Sequence, residues 1–358
     1  VERARIIVAM SGGVDSSVAA LRLLEAGHEV VGVTLHLWDY PDESDHGRCC
    51  APEDQYDARR VADHLGFPHY TFDRRELFQR VVVDPFVDAY LEGRTPSPCV
   101  ACNRGVKLRQ LLPLADRLGA SHVATGHYAR VVEQSGRPTL HRGRDARKDQ
   151  SYFLHMLRSD ELGRVKLPLG EATKEEVRAE ALAAGLPGAG KGESQELCFV
   201  ASGRYDAFVE ERAGGRVRPG PILDDGGRVV GEHGGVHRYT VGQRKGLGVA
   251  LGRPAFVVGV DAQTGEVRVG SEEALSSGGA LLAADSGFAE DVTFPIEATV
   301  QVRARHAGVA ATLSAPDERG EVRVRFAEPV RAVSPGQVAV AYHGTRVLGG
   351  GTILRAER

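Results

Sequence analysis

The apolar run Arg5-Ile6-Ile7-Val8-Ala9-Met10, followed at once by Ser11-Gly12-Gly13-Val14-Asp15-Ser16-Ser17, constrains this chain more than any other feature. A short apolar run with no alternation fits a strand buried on both faces, as in a parallel sheet. Val14, Val18, Leu21 and Leu24 then recur at helical spacing, with Gly27 as the stop. Strand, glycine turn and helix follow one another without a spacer. Two glycines let the turn bring its N–H groups close to a ligand, and the helix N-terminus adds partial positive charge. The serine hydroxyls add donors. The unit reads as an oxyanion cradle, with Asp15 placed to hold a magnesium ion between phosphates. It lacks the Gly-Lys-Ser/Thr ending of a Walker loop and the Gly-x-Gly-x-x-Gly of a dinucleotide site.

The alternation continues. Val30 to Leu37 reads as a strand, and Ala58, Val61, Ala62 and Leu65 as a helix ending at Gly66. Pro68–Phe72 and His122–Thr125 are further strands. Repeated strand–helix–strand units mean a parallel sheet with helices on both faces. After about residue 205 the pattern shifts to short alternating segments between Gly, Pro and Asp clusters. Val300 and Val302 alternate with Gln301 and Arg303, and Val322, Val324 and Phe326 with Arg323 and Arg325; Val338, Val340 and Tyr342 also alternate. These are expected to be half-buried antiparallel strands. Ser276-Ser277-Gly278-Gly279 reads as a boundary. The expected fold class is α/β, with a parallel-sheet domain over 1–204, a small central β-rich domain over 205–275 and a C-terminal β-barrel over 276–358. A length of 358 suits several domains rather than one.

Five cysteines stand at 49, 50, 99, 102 and 198. An odd number in a chain of this size does not describe a secreted disulfide scaffold. Cys99 and Cys102 lie in Thr95-Pro96-Ser97-Pro98-Cys99-Val100-Ala101-Cys102-Asn103-Arg104, where Asn103 is the chain's single asparagine. Val106, Leu108, Leu111 and Leu112 predict a helix beginning just after Cys102. A cysteine at a helix N-terminus beside arginine is expected to be rich in thiolate. Cys198 sits among Leu197, Phe199 and Val200, which equally suits a packed thiol. Cys49 and Cys50 read as core or supporting residues. Cys99-x-x-Cys102 would be half a zinc site, but the adjacent Cys49-Cys50 is a poor second half, so no metal site is expected.

The Ala9–Ser17 segment resembles the PP-loop ATP pyrophosphatases, which cleave ATP between the α- and β-phosphates. The wider chain looks like a bacterial tRNA-specific 2-thiouridylase. The matching blocks are Asp57-Ala58-Arg59, Thr95–Arg104, Ala124–Tyr128, Arg147–Leu154, Ser194–Phe199, Tyr239–Gly248 (with Gly-Gln-Arg-Lys-Gly-Leu-Gly) and Leu348–Gly351. The resemblance implies ATP and Mg2+ as cofactors. It implies ATP contacts from Ala9, Met10, Ser11, Gly12, Gly13, Val14, Asp15, Ser16, Leu35 and Gly126. Target-base contacts fall on Ser97, Pro98 and Cys99, and tRNA contacts on Lys148, Asp149, Gln150, Arg303 and Ala304. Cys102 matches the catalytic thiol and Cys198 the cysteine that carries a persulfide. Many members have Asn-Pro-Asp where this chain has Ser97-Pro98-Cys99, so a thiol replaces a carboxylate suited to proton transfer.

The implied partners are tRNA, through the wobble uridine of its anticodon loop, and a persulfide donor such as a cysteine desulfurase or relay protein. An iron–sulfur reading, with Cys99, Cys102 and Cys198 as ligands, is the alternative sulfur route. Another PP-loop adenylating ligase or a nucleotide-regulated RNA-binding protein would have no use for two distant thiols. No apolar run approaches the roughly 20 residues of a membrane span, and no signal-peptide layout is present, so a cytoplasmic protein is expected. The net charge of −3 argues against a nucleic-acid partner only as an average. Arg303, Arg305, Arg323, Arg325 and the Gly242–Gly246 loop supply local positive charge.

Overall fold

The computed structural model describes residues 3–39, 52–192, 197–200 and 203–358; Cys49 and Cys50 lie outside the described residues. The chain divides into two compact units. One comprises Val1–Val82, Cys99–Gly203 and Thr345–Val347, the other Val83–Pro98, Arg204–Gly344 and Leu348–Arg358.

The first unit opens with β1 (Arg5–Ala9), α1 (Val14–Glu25), β2 (Glu29–His36), α2 (Pro52–Leu65), β3 (His69–Asp73) and the one-turn α3 (Arg75–Phe78). A π-helical stretch, Gln79–Val83, leads to α4 (Asp84–Leu91), which belongs to the second unit. The chain returns within α5 (Pro98–Cys102), passes through a second π-helical stretch, Asn103–Leu108, and continues as α6 (Arg109–Arg117). There follow β4 (His122–Ala124), the hairpin β5 (Ala129–Gln134) and β6 (Arg137–Arg142), α7 (Ser151–Leu154), α8 (Ser159–Leu162), β7 (Val165–Lys166) and α9 (Lys174–Ala183).

The sheet is parallel throughout, in the order β3-β2-β1-β4-β7. Ile6 and Val8 share a core with Ala20 and Leu23 of α1 and with Ala58, Val61 and Ala62 of α2. Alternation along β1 sends Ile7 to the opposite face, and α6 packs on β1 and β4. α1 stops as expected. Gly27 adopts φ +84°, and the N–H of His28 donates to Leu23 O at 3.1 Å, closing a Schellman-type end. The strand order reverses between β1 and β4, and such a switch opens a ligand crevice at the C-terminal strand ends.

Helix formation around Cys102 differs from expectation. It begins at Pro98, whose fixed φ suits the first helical position. Cys102 therefore ends the opening turn of a continuous helical run and does not precede it.

In the second unit, α4 pairs with α10 (Tyr205–Arg212), with Tyr90 stacked on Tyr205 at 4.6 Å. A small sheet follows, formed by β8 (Gly220–Leu223), β9 (Val229–His233), β10 (Phe256–Asp261) and β11 (Glu266–Gly270) in the order β10-β11-β8-β9. Its core holds Ile222, Val257, Val267, Val269 and Leu247. The last strands are β12 (Ser276–Leu282), β13 (Gly287–Phe288), β14 (Ile296–Gln301), β15 (Val309–Leu313), β16 (Val322–Arg331), β17 (Val338–His343) and β18 (Arg346–Glu357). The order β12-β16-β15-β14-β17-β18 closes through β12–β18 pairing into a barrel.

Ser276–Gly279, the expected boundary, opens β12; Gly279 permits an approach in which a Cβ would lie 2.5 Å from Val324 O. Two expectations change here. Arg303–Arg305 form the turn after β14 and are not on a strand. β17 is buried on both faces from Val338 to Tyr342, because small alanines alternate with its larger residues where polar ones were expected.

Candidate active site

The Gly12–Ser17 turn is built from backbone demands first. Gly12 has φ +75°, and a Cβ there would lie 2.2 Å from the carbonyl oxygen of Asp54 on α2. Gly13, in extended conformation, caps α1. The Ser16 and Ser17 hydroxyls donate back to Gly13 O at 2.9 and 3.1 Å, and the N–H of Ser11 donates to Ser16 Oγ at 3.2 Å. The serines thus hold the shape of the turn, while the first N–H groups of α1 carry the anion-binding potential. Gly126, just beyond β4, presses against this end; a Cβ on it would lie 2.8 Å from Ser16 N. Gly126 and the turn therefore meet at the β1/β4 switch. Met10 N donates to Val33 O at 2.8 Å, and Leu35 is buried in β2.

Asp15 is neutralised by protein. Its Oδ1 accepts from Lys174 Nζ and from the Tyr128 hydroxyl, each at 2.7 Å. Lys174 is only 4% exposed and opens α9, where the Thr173–Glu176 capping box fixes the first turn. It is a protein cation on the carboxylate expected to face magnesium. A second charged set, with Asp54 and Asp57 buried, props the other side of the turn. Lys191 pairs with Asp57 and lies 3.4 Å from Asp54 Oδ1. Burial lowers the pKa of this lysine, but the two carboxylates outweigh burial and hold it above the ordinary value. Lys174, Tyr128, Lys191 and Asp54 escaped the sequence reading. The Thr-x-x-Glu signature before α9 and the Ala124–Tyr128 block were the available signals.

The thiols differ in setting. Cys99 is exposed in the first turn of α5, Cys102 is buried at its end, and Cys198 is half-buried in the described segment 197–200. Asn103, 4% exposed, sends its side-chain amide to Phe153 O at 3.5 Å, tying the helical run to α7. Phe199, next to Cys198, packs its ring against Trp38 and Phe78. Of the expected base contacts, Ser97 and Pro98 count with the second unit and Cys99 with the first.

The Lys148–Gln150 segment is part of the scaffold as well as a candidate contact. The Asp149 carboxylate accepts from Gly143 N, Ser151 N, Ser151 Oγ and Arg142, at 2.9–3.1 Å. Gln150 accepts from Tyr128 N at 2.9 Å, linking this loop to the partner of Asp15. Lys148 is half-buried. In the second unit Arg303 is exposed, with one guanidinium N–H to Arg331 O at 3.3 Å, and Ala304 lies beside it in the turn. Gln243 receives Thr240 N and Val257 N, which fastens the glycine-rich loop and leaves Arg244 and Lys245 exposed.

Among known proteins, a family described as tRNA methyl transferase HUP domain matches residues 4–202. A tRNA methyl transferase PRC-barrel domain matches 206–271, and an aminomethyltransferase beta-barrel domain matches 281–353. The tRNA-specific 2-thiouridylase MnmA of Sorangium cellulosum is 68% identical over 360 residues, covering 99% of this chain and 93% of that protein. The proteins of the same name from Moorella thermoacetica and Geobacter metallireducens are 50% and 48% identical, over 97% and 98% of this chain and 98% and 97% of theirs. Identity at this level along the whole chain means that it belongs to the family of tRNA-specific 2-thiouridylases.

Proposed function

We propose that the protein uses ATP to replace the C2 oxygen of the wobble uridine of tRNA with sulfur. The observation that carries this reading is the closed cradle at the β1/β4 switch, held in the same unit as Cys102 and Cys198. The C2 oxygen is a poor leaving group. Its attack on the α-phosphorus of ATP releases pyrophosphate and leaves an adenylated base. The terminal sulfur of a Cys198 persulfide then attacks C2, and AMP departs. Cys102 thiolate attacks the Cys198 sulfur, which breaks the S–S bond, leaves C2=S on the base and forms a Cys102–Cys198 disulfide that an external thiol reduces. In the variant order, Cys102 first liberates hydrosulfide, which attacks C2.

The first N–H groups of α1 receive phosphate oxygens, and Mg2+ carried by ATP would neutralise the remaining charge. Gly12, Gly13, Ser16 and Gly126 shape the pocket, with Leu35 on the neighbouring strand. The uridine leaves its stack to reach the thiols, at little cost in a single-stranded loop. Ser97, Pro98 and Cys99 meet the base, and Lys148, Asp149, Gln150, Arg303 and Ala304 meet the rest of the tRNA. The functional domains are 1–204, 205–275 and 276–358. We infer a cytoplasmic reaction from its tRNA substrate. Among the described residues no helix is long and apolar enough to cross a membrane.

The iron–sulfur route is the second reading. It would take Cys99, Cys102 and Cys198 as cluster ligands, and it stands below the persulfide route.

Mass spectrometry of tRNA nucleosides after incubation with ATP, magnesium and a cysteine desulfurase tests the proposal. The expected product is 2-thiouridine, with AMP and pyrophosphate formed in equal amounts. Full thiolation by Cys198→Ser would remove the persulfide role, and ADP as the product would remove the adenylation step.

A further inference from the structure

Phe199 is buried at 2% exposure, although the adjacent Cys198 is half-buried. Its ring stands edge-on to Trp38 at 6.3 Å between centroids and to Phe78 at 5.7 Å; Trp38 and Phe78 are 6.3 Å apart. The three rings form a closed triangle drawn from three parts of the chain. Trp38 follows the C-terminal end of β2, and Phe78 ends α3, just after β3. Both therefore lie at the sheet edge that also carries the cradle. Trp38 is the chain's single tryptophan, and the proposed reaction gives its indole no chemical role.

We propose that Trp38 is a positioning residue for sulfur transfer, which clamps Phe199 against Phe78 and so fixes where the Cys198 sulfur stands. The inference rests on the reading of Cys198 as the sulfur carrier. Ring and thiol stand on adjacent residues, so the Cys198 Cα lies ~3.8 Å from that of the clamped Phe199 and the sulfur is tethered two bonds beyond it. Edge-to-face aromatic contacts give that lock direction as well as burial. Nucleophilic attack needs this restriction, because a loosely held sulfur loses the advantage of proximity.

The test uses the full-length protein with tRNA, ATP and a cysteine desulfurase, and the variants Trp38→Ala, Trp38→Phe and Phe199→Ala. In Trp38→Ala the rate of Cys198 alkylation by iodoacetamide, mapped by peptide mass spectrometry, should rise about tenfold as the ring contacts are lost. The kcat for 2-thiouridine should fall by a similar factor. The KM for ATP, tRNA-dependent ATP–pyrophosphate exchange and Cys102 alkylation should stay at wild-type values. Trp38→Phe keeps a ring in place and should restore most of the rate. Phe199→Ala should shift Trp38 emission to the red, which reports the clamp from the other side without reference to activity.

Wild-type alkylation and thiolation rates in Trp38→Ala would overturn the proposal. So would an unmoved emission spectrum in Phe199→Ala, or a Trp38→Phe variant as slow as Trp38→Ala. Retained thiolation in Cys198→Ser would instead overturn the carrier reading, whatever alkylation and fluorescence say of the clamp.

Discussion

Gly12 is held to glycine by two separate constraints, a positive φ and the carbonyl of Asp54 where a Cβ would go. Gly12→Ala should weaken ATP binding by at least about tenfold and cost roughly 2 kcal/mol of stability, measurable by calorimetry and urea unfolding. Asp15 and Lys174 form a pair whose lysine is buried and whose aspartate side chain is 34% exposed. Lys174→Met should cost roughly 2–3 kcal/mol, below the ~3–5 kcal/mol of a fully buried broken pair, because solvent partly screens Asp15. Adding Asp15→Asn should recover part of that loss, and a double-mutant cycle in urea measures how much. The glycines and serines of the cradle were legible because their meaning is local, residue type beside residue type. Lys174 was not, since its partner is 159 residues away and a lysine opening a capped helix looks like any other. Cys99 was legible as a departure from the family pattern, and it is exposed.

At the scale of elements, strand and helix positions in the parallel sheet followed from apolar runs and glycine stops. The helical run from Pro98 onward did not. Periodicity registers a helix only where one face is apolar, and Pro98–Cys102 carries no such stripe before the π-helical register change at Asn103–Leu108. α7 packs on that stretch and is followed by His155, which is 4% exposed. The ring nitrogen Nδ1 meets Tyr152 O at 2.8 Å, while Nε2 has no hydrogen-bond partner among the described residues. Burial, with a smaller contribution from the Arg104 charge, pushes this histidine down to about 4 despite the Tyr152 contact. An unfolded chain takes up the same proton near pH ~6.5. Between these values the unfolded state binds the proton and the folded state does not, so stability falls as pH drops through that window. The slope should approach about 1.4 kcal/mol per pH unit for this one group. His155→Gln should flatten the stability profile between pH ~6.5 and ~4 in chemical unfolding, as no imidazole is left to charge. An unchanged slope would mean that other groups set the acid sensitivity.

At the scale of the whole molecule, the net charge of −3 hides how the arginines are used. Two neighbours on the outer face of β16 make the point. The Arg323 Nε donates to Glu357 at 2.8 Å, whereas Arg325 stands exposed two residues further along the same face. Sequence alternation identified both as outward-facing but could not see Glu357, which arrives from β18. Likewise, helical periodicity found no sign that Val83–Pro98 belongs with the second unit, because a core-facing stripe does not say which core it faces. If the barrel meets tRNA phosphates, the two arginines should behave differently. Removing one phosphate contact lowers the slope of log K against log salt by roughly 0.7–0.9. Arg325→Ala should produce a drop of that size in tRNA binding titrated from low to moderate salt. Arg323→Ala should change the slope much less, since a guanidinium already matched to a carboxylate releases few counterions on binding. Equal drops would mean that Glu357 gives up its partner to the RNA. No drop in either would mean that the barrel face of β16 is solvated, leaving Arg244, Lys245 and Arg303 as the residues to titrate next.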